Sequence, residues 1–354
     1  QNGFFMEAAE DVLDLSQFPD APWPLDVVGA LYDKSLLHRK IVDNQPRFGM
    51  FVSIQAFAAG HLNEDAQDTR IRVARHFSRL GSPDNIGPLR GKDRLDVYRG
   101  LVLELQNLLL GADVPEESAV EASALCALAA SHVFRIRGPY ADGIALLEQA
   151  IAKPISDGIR WHTLHHLARM CILGSRLENA GAYLDEALEI CQKLGDEDGE
   201  LSILMRRNHY LSVSNQLDEM EACSLRGIEL SKKKNDKIRY LIFLAGLGTM
   251  KNSQEKPHEA LPYLLESVAL ARVHVSERDL GVILGNAALV QQSLGKDTEA
   301  EAAYLEAIDI AERQNNRLSE AVNTGNLAIL YANRSDFETA QGLLEKSLEL
   351  TQGA

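Results

Sequence analysis

The sequence predicts an all-α array of helix-turn-helix units, preceded by a short segment in which helices flank a β-hairpin. The main observation is a repeat: Gly285-Asn286-Ala287-Ala288 returns as Gly325-Asn326-Leu327-Ala328. The predicted second helices of six units open at a nearly constant interval, of which the first is slightly shorter, and mostly on a small side chain: Gly143, Ala180, Met220, Ala260, Ala300 and Ala340. A fixed period of about 40 residues is the signature of a repeat array.

Residues 1–60 predict two helices, a hairpin and a third helix. Residues 6–13 have an amphipathic pattern, and Pro24 suits the first turn of the next helix. Alternating apolar residues in 37–41 and 47–52, on either side of turn residues at 43–46, predict two strands. This order is typical of a winged-helix domain that lacks its first helix.

Two further helices are expected before the repeats, at about 65–80 and 92–110. The first carries an arginine face formed by Arg70, Arg72, Arg75 and Arg79, which we interpret as a solvated or domain-docking surface rather than a phosphate site. Glycine, proline and acidic residues at 111–117 predict a domain boundary. The expected domains are a partial winged helix at 1–62, a helical linker at 63–117 and six helical pairs at 118–354.

Several segments resemble the STAND signalling ATPases, bacterial regulators of the AfsR and MalT kind. Ala30-Leu31-Tyr32-Asp33-Lys34-Ser35-Leu36-Leu37 and the segment from Arg47 to Ala58 are similar to that family's "L-D-K-S-L-L … R-F-x-M-L-E-S-I-R-E-Y-A". The stretch Leu103-Glu104-Leu105-Gln106-Asn107-Leu108 resembles its linker motif "L-E-L-D-N-L". Val52 and Gln55 depart from the Glu and Arg that are usual there, which puts the family's polar contacts in doubt.

The resemblance implies a winged helix, a linker and a tetratricopeptide-type sensor behind an NTPase module. It implies that the repeats form a right-handed superhelix of the tetratricopeptide kind. The 40-residue period is similar to the longer-helix variety in STAND sensors and kinesin light chains. In such repeats, small residues such as Ala288 and Ala328 lie where helices cross closely, while Tyr304 and Tyr331 fill wider gaps.

Composition restricts the class of partner and the compartment. The net charge of −15, from 51 acidic and 36 basic residues, works against nonspecific binding to nucleic acid or to anionic membranes. The four cysteines are isolated among apolar residues, as buried free thiols are in a reducing compartment. With no signal-peptide pattern, a cytoplasmic location is expected. The initial Gln1 suggests a piece of a longer or processed chain.

No catalytic constellation is found, so we expect no enzyme activity and no cofactor. The chain lacks a Gly-x-x-x-x-Gly-Lys-Ser/Thr loop and a Gly-x-Ser-x-Gly elbow. Direct DNA readout by the winged helix is disfavoured because its groove-facing helix carries Asp26 and Asp33. The histidine stripe of the second repeat has no Cys or carboxylate at ligand spacing, so no metal site is predicted.

The candidate binding residues lie on first helices, which the resemblance places along the concave groove. Three histidines and an arginine at positions i, i+3, i+4 and i+7 share one helix face, and a second polar group follows one repeat later. Two asparagines occupy a position that, in peptide-binding relatives, holds Asn side chains that bind the ligand. The set is His162, His165, His166, Arg169, Met205, Arg206, His209, Asn286 and Asn326. They form either a locally positive ligand site or a wet polar surface with no ligand, and both interpretations predict that they are exposed.

The functional prediction is a non-enzymatic sensor and protein-interaction fragment of a signalling ATPase or transcriptional regulator. It would bind a peptide, a protein or a small effector in the groove, and contact its own NTPase module. The alternative is a plain scaffold that assembles partners or associates with itself. The last helix suggests either further repeats after it or self-association, because Leu344 and Leu348 remain apolar where a terminal repeat normally turns a polar face to water.

Overall fold

The structure, a computed structural model, describes residues 3–16, 18, 20–60, 66–86, 94–115 and 117–352. The chain divides into two compact units, residues 1–194 and 195–354, and each is described by itself. Within the described residues the chain forms three short strands and eighteen helices, which confirms the predicted all-α class with a small β segment.

The first unit opens with a small three-stranded antiparallel sheet. Its elements are β1 (Phe4–Phe5), α1 (Met6–Val12), α2 (Pro24–Asp33), β2 (Leu37–Val42), β3 (Gln45–Met50) and α3 (Val52–Ala59). The strand order is β1-β3-β2, with Leu37 opposite Met50 and Val42 opposite Gln45. The predicted hairpin is confirmed; β1 was missed because two residues are too few to show an alternating pattern.

The hairpin turn is tighter than the predicted 43–46, because Gln45 already pairs with Val42. Asp43 and Asn44 both have positive φ, 49° and 63°. These are the residues most tolerant of that conformation after glycine, and two such residues match the right-handed twist of a hairpin.

The helices that follow are α4 (Ala66–Ser78), α5 (Pro83–Ile86) and α6 (Arg94–Ala112). The helix α6 packs against α4 and against α7 (Val120–Arg137). One hydrophobic core contains Phe77 of α4, Leu108 of α6 and Ala124 of α7. The predicted linker and the first repeat therefore share a core, while the domain limits themselves stay a prediction.

The described part of the predicted boundary at 111–117 is tied into the structure. The side chain of Val114 is fully buried. The ammonium of Lys153 donates to the carbonyls of Ala112 and Val114 at 3.4 and 3.0 Å, and to Ser123 Oγ at 2.9 Å. Lys153 thereby satisfies carbonyl groups at the C-terminus of α6 that the helix leaves without partners.

A buried ion pair joins the sheet to α6. Arg47 of β3 pairs with Glu104 of α6, and both side chains are less than a tenth exposed. The amide of Asn107 donates to Glu104 Oε2 at 2.6 Å and to the Gly3 carbonyl at 3.0 Å. Buried charges need this degree of pairing, because desolvating them is costly.

Part of the predicted arginine face docks on α1. Arg72 Nε donates to the Val12 carbonyl at 2.8 Å, and Arg79 pairs with Glu7 and Asp11. His76 lies between Arg72 and Arg79 in the sequence, and its Nδ1 is 2.8 Å from Asp11 Oδ2. This hydrogen bond is the main reason why the pKa of Asp11 is lower than the ordinary value for an aspartate. Arg72 and Arg79 thus dock on a neighbouring helix, while the assignment of that helix to a separate domain stays a prediction.

Six helical pairs make up the rest of the described chain. The pairs of the first unit are α7 with α8 (Tyr140–Ile151), and α9 (Asp157–Leu173) with α10 (Leu177–Leu194). Those of the second are α11 (Glu197–Val213) with α12 (Leu217–Lys233), α13 (Lys237–Ser253) with α14 (Pro257–His274), α15 (Glu277–Ser293) with α16 (Asp297–Arg313), and α17 (Arg317–Asn333) with α18 (Phe337–Gln352). From α9 onward the first helices begin at a constant interval, which is the period predicted from the sequence.

The turn inside each of the last five pairs contains one left-handed residue at an equivalent position. These residues are Ser175, Asn215, Glu255, Gly295 and Ser335, with φ between 57° and 68°. In the second pair this residue is Ser175, which follows the C-cap Gly174 of α9. A left-handed residue just after a helix ends it and lets the chain reverse.

The predicted small residues are fully buried: Ala180, Ala260, Ala288, Ala300 and Ala328. Of the two predicted large residues, Tyr304 is fully buried, whereas Tyr331 is half-buried and its hydroxyl donates to Glu301 Oε1 at 2.5 Å. Within the described residues, the helical stretch Glu117–Arg137 alone is long and apolar enough to cross a membrane. Two thirds of its most apolar 18 residues are buried inside the first unit, as in a core helix.

Candidate functional site

The predicted site residues fall into two groups, one in each unit. His162, His165, His166 and Arg169 lie on α9 of the first unit, and the other five lie on α11, α15 and α17 of the second. On each first helix, three residues that lie on one face recur at equivalent positions every 40 residues. The second follows the first by four residues, and the third follows the second by three. The α9 residues at these positions are His162, His166 and Arg169.

The α9 residues join α7 in a cluster that we call the α7–α9 histidine cluster: His132, His162, His165, His166 and Arg169. The rings of His132 and His166 are tilted by 48° with centroids 3.9 Å apart, and His165 meets His166 edge-on at 6.1 Å. His166 Nδ1 lies 3.3 Å from Ser131 Oγ. His162 stacks on Trp161 at 3.5 Å.

Much of this cluster is buried. His132, His165 and His166 are less than a tenth exposed, while His162 and Arg169 are half-buried. The expectation that the whole stripe is exposed is therefore wrong for His165 and His166. The physical reason is that α9 packs against α7 as well as α10, so only a narrow part of its surface remains for solvent.

Burial determines the protonation of the central ring. It lowers the pKa of His166 well below the ordinary histidine value, and the positive charges of His132, His165, Arg169 and Arg135 lower it further. His166 is therefore neutral at pH 7 and contributes packing and hydrogen bonding, not positive charge. Within the described ranges, no group of three or more His, Cys, Asp or Glu residues could hold a metal ion.

The first helices of the second unit lie side by side, because α11 contacts α13, α13 contacts α15 and α15 contacts α17. Equivalent residues therefore form rows across the four helices. We call three of these rows the floor row (Arg206, Gly246, Asn286, Asn326), the early flank (Ser202, Ile242, Val282, Val322) and the late flank (His209, Thr249, Leu289, Ile329). Together they make up the first-helix face.

Four predicted site residues lie on this face. Arg206, Asn286 and Asn326 belong to the floor row and are half-buried, whereas His209 of the late flank is exposed. Met205, also half-buried, precedes Arg206 on α11. The adjacent Arg207 pairs with Glu219 at 3.3 Å.

The sequence interpretation missed the apolar members of the flanks. Ile242, Val282 and Val322 are 40%, 50% and 55% exposed, and Leu289 and Ile329 are 40% and 51% exposed. Ile238 and Leu318 extend the apolar surface one turn toward the N-termini of α13 and α17. The sequence did contain a signal for this exposed surface, because these helices carry more apolar residues than their packing against neighbouring helices requires.

Such contiguous exposed apolar surface is typical of sites that bind a partner. Side by side, the flanks change from Ser202 and His209 on α11 to aliphatic side chains on α15 and α17. The face can hold a ligand with apolar side chains at one end, while its basic groups lie at the other.

Comparison with protein families identifies residues 279–352 as tetratricopeptide repeat. This segment covers α16, α17, α18 and all but the first two residues of α15. No match among curated proteins was found at the level of sequence.

Solved structures with the same fold come from several contexts. A STAND protein with a tetratricopeptide repeat sensor from Pyrococcus horikoshii is 16% identical, with a TM-score of 0.58 over 99% of this chain and 54% of that one. This chain thus spans about half of that protein's length. A Rap protein complexed with competence and sporulation factor is 11% identical, with a TM-score of 0.56 over 82% of this chain and 77% of that one.

A third similar structure is BtubC from P. vanneervenii, 15% identical, with a TM-score of 0.51 over 71% of this chain and 92% of that one. At these identities the likeness concerns the fold alone. Residues 279–352 are a tetratricopeptide repeat domain, and the helical pairs before them have the same kind of fold.

Proposed function

We propose that this chain is a non-enzymatic interaction and sensor module that binds a peptide or protein on the first-helix face of its second unit. The observation that carries the proposal is the row of exposed aliphatic side chains at equivalent positions on α13, α15 and α17. Burying apolar surface is the main driving force of protein association. A Rap protein of similar fold was solved with a bound factor, which is consistent with a ligand here.

The wider context that we propose is a bacterial, cytoplasmic STAND-type signalling ATPase or transcriptional regulator. In it, residues 1–62 act as a partial winged helix, 63–117 as a linker and 118–354 as the sensor. The sequence motifs of the first and second segments support this, as does the buried pair of Arg47 and Glu104, which joins them. Catalysis would belong to an NTPase module outside this sequence.

Exposed apolar residues near the N-terminus support contact with such a module. Trp23 and Val52 are about 80% exposed and Phe57 is 68% exposed. The helix α3 is apolar, yet it buries none of its residues. Surfaces of this kind are usually covered by a partner.

The coding sequence upstream of Gln1 tests the context. We expect it to encode a Gly-x-x-x-x-Gly-Lys-Ser/Thr loop between a strand and a helix. A complete reading frame without such a loop would refute the STAND assignment and leave the interaction function in place.

Site-directed photo-cross-linking tests the interaction function. A photoreactive residue at Val282 should give a discrete adduct in cells that express the chain, whereas one at the exposed Leu225 of α12 should not. Equal labelling from both positions, or none from Val282, would contradict binding on the first-helix face.

Self-association through α18 is a second candidate that one observation favours. Leu344 is 52% exposed, whereas the equivalent Leu264 and Tyr304 are fully buried and pack against residues of the following helical pair. A second copy would cover this face. Light scattering should then show a dimer that Leu344→Asp converts to monomer, and a strictly monomeric chain at high concentration would exclude this candidate.

A further inference from the structure

The helix α14 is apolar on its outer face as well as on the face that packs within the array. On the inner face, Ala260 and Leu264 are fully buried. On the opposite face, four residues at i, i+3, i+7 and i+11 form what we call the outer stripe: Pro262, Leu265, Ala269 and Val273. All four are exposed, Val273 by 75%. Because a helix that is apolar all round is normally buried, the outer stripe indicates a surface that a partner covers.

The equivalent stripes of the neighbouring second helices, α12 and α16, carry charges. In place of Ala269 and Val273 each of them has an acid and a base: Glu229 and Lys233 on α12, and Asp309 and Arg313 on α16. Charged side chains of this kind are typical of a face that stays in water. The apolar stripe is therefore specific to α14 and does not follow from the repeat.

A cation lies at the C-terminal end of the outer stripe. In the pair of α15 and α16, Glu277 at the start of the first helix contacts Arg313 at the end of the second at 2.8 Å, and the pair of α11 and α12 has the same contact. In the pair of α13 and α14 these two positions hold Lys237 and Val273. The side chain of Lys237 is exposed and makes no hydrogen bond or ion pair with any described residue. Lys237 therefore suits an acid that a partner supplies.

The acids of α14 itself are engaged within the chain. Glu266 accepts a hydrogen bond from the Tyr240 hydroxyl at 2.6 Å, and Glu259 pairs with Lys251 at 3.3 Å. They repel an acidic partner less than free carboxylates would. The outer stripe thus favours a partner that is apolar and acidic.

The last helix of the same unit has such a surface. Phe337, Leu344 and Leu348 share one face of α18, and each is more than half exposed. Three exposed acids lie beside them on the helix: Glu338, Glu345 and Glu349. Neither Glu338 nor Glu349 has a side-chain partner among the described residues. The face of α18 is therefore complementary in charge to the outer stripe of α14.

The two surfaces also match in length and in the size of their side chains. The outer stripe and the apolar face of α18 each extend over about three turns, or about 17 Å. Large side chains of α18 would meet a stripe that contains Pro262 and Ala269, and large residues opposite small ones let two helices pack closely. Acids run along the whole of α18, so either direction of packing brings one of them to Lys237.

We propose that α18 of one copy docks along the outer stripe of α14 in a second copy, and that two copies exchange this contact to form a dimer. The inference rests on the second candidate function, self-association through α18, and adds the surface that receives the helix. Exchange about a two-fold axis buries the contact twice. This matters because a stable interface needs about 1,200–2,000 Å² of buried surface. The net charge of −15 on each chain also opposes association.

Light scattering over a range of concentrations tests the receiving surface. The unaltered chain should form a dimer. Leu265→Asp should raise the dissociation constant about 100-fold or more, because two buried leucine contacts per dimer are replaced by charge. Leu225→Asp makes the same change at the equivalent position of α12, where the side chain is 47% exposed, and should leave the dissociation constant unchanged.

A mixture of two variants tests the exchange. Leu344→Asp disables the docking helix and Leu265→Asp disables the surface that receives it, so each variant alone should be monomeric. An equimolar mixture keeps one intact contact, from α18 of the Leu265→Asp copy to α14 of the Leu344→Asp copy. The anisotropy of a fluorescently labelled Leu344→Asp chain should therefore rise with added Leu265→Asp chain, and not with unlabelled Leu344→Asp chain. Circular dichroism confirms that each variant is folded.

Charge reversal tests the ionic contact. Lys237→Glu should raise the dissociation constant of the dimer about fivefold, since each dimer contains the contact twice. Adding Glu338→Lys or Glu349→Lys should restore the affinity, and the acid that does so gives the direction of α18 along α14. A Lys237→Glu chain that neither reversal restores would refute the ionic contact.

The remaining outcomes overturn the inference. A dimer that is lost in Leu344→Asp but kept in Leu265→Asp would mean that α18 docks elsewhere, and it would leave self-association in place. A mixture of the two variants that stays monomeric, or assemblies of the unaltered chain that grow beyond a dimer with concentration, would refute the exchange. A strictly monomeric unaltered chain would exclude self-association as well.

Discussion

The α7–α9 histidine cluster and the first-helix face of α13 to α17 both depart from the usual distribution of polar residues outside and apolar residues inside. In the first, polar rings of His165 and His166 are buried; in the second, the aliphatic Val282 and Val322 are about half exposed. Both occupy first helices of the same 40-residue register. Burial follows from which helices cover each first helix more than from polarity, since His166 is buried whereas Asn286 at the equivalent position is half-buried. An exposed apolar residue is therefore a better indication of a binding surface than a polar residue on the same helix is.

The largest expected effect is the loss of a buried ring. His166→Ala should lower the free energy of unfolding of the first unit by about 2–4 kcal/mol, because it leaves a cavity against His132 and Ser131. Both tryptophans, Trp23 and Trp161, lie in that unit, so urea unfolding followed by tryptophan fluorescence reports on it. The exposed His209→Ala should change the stability of the second unit little, as measured by hydrogen exchange of α11 amides. An equal loss of stability in both variants would remove the contrast between the regions.

An ion pair with one buried partner tests the cost of burying a charge in the second unit. Glu200 of α11 is 4% exposed and accepts from Arg226 of α12 at 2.9 Å. Glu200→Arg should destabilise this unit by about 1–2 kcal/mol, a range that allows for the half-exposed Arg226. Adding Arg226→Glu should restore most of it, as measured by hydrogen exchange of α11 amides. A double variant no better than the single one would show that the charges do not interact.

The pH dependence of stability should also differ between the regions. Because the pKa of His166 is lower in the folded chain than in the unfolded one, the unfolded state binds more protons below about pH 6.5. The stability from neutral His166 is thus present above that pH and is lost as the pH falls, by up to about 1.4 kcal/mol per pH unit. The slope, from tryptophan-detected unfolding, should flatten in His166→Gln and persist in His209→Gln.

The smallest effect is expected at the apolar flanks. Val282→Ala and Val322→Ala should each change the free energy of unfolding by less than about 0.5 kcal/mol, as exposed sites do. Thermal unfolding monitored by circular dichroism measures this. A loss of about 2 kcal/mol, typical of a core residue, would mean that these side chains serve packing rather than binding.

The repeat, its period and the β-hairpin could be predicted because each leaves a local pattern in the sequence. The burial of His165 and His166 could not, since it depends on which neighbouring helix covers α9. The pairing of Arg47 with Glu104, 57 residues apart, has no local signal either. The aliphatic flanks were hidden for the opposite reason, because apolar residues in a helical array are first assigned to its core.

The previous repeat has an ion pair equivalent to that of Glu200 and Arg226, but with the charges exchanged between the two helices. There, Arg160 of α9 contacts Glu186 of α10 at 2.6 Å. Each of these two repeats thus carries its own matched pair within one first and one second helix. A recombination event that crosses over in the turn between the two helices would bring Glu200 opposite Glu186, or Arg160 opposite Arg226. Crossovers in the links between repeats keep every pair intact. Between these two repeats, then, recombination that adds or removes whole helical pairs is tolerated, and exchange of single helices is penalised.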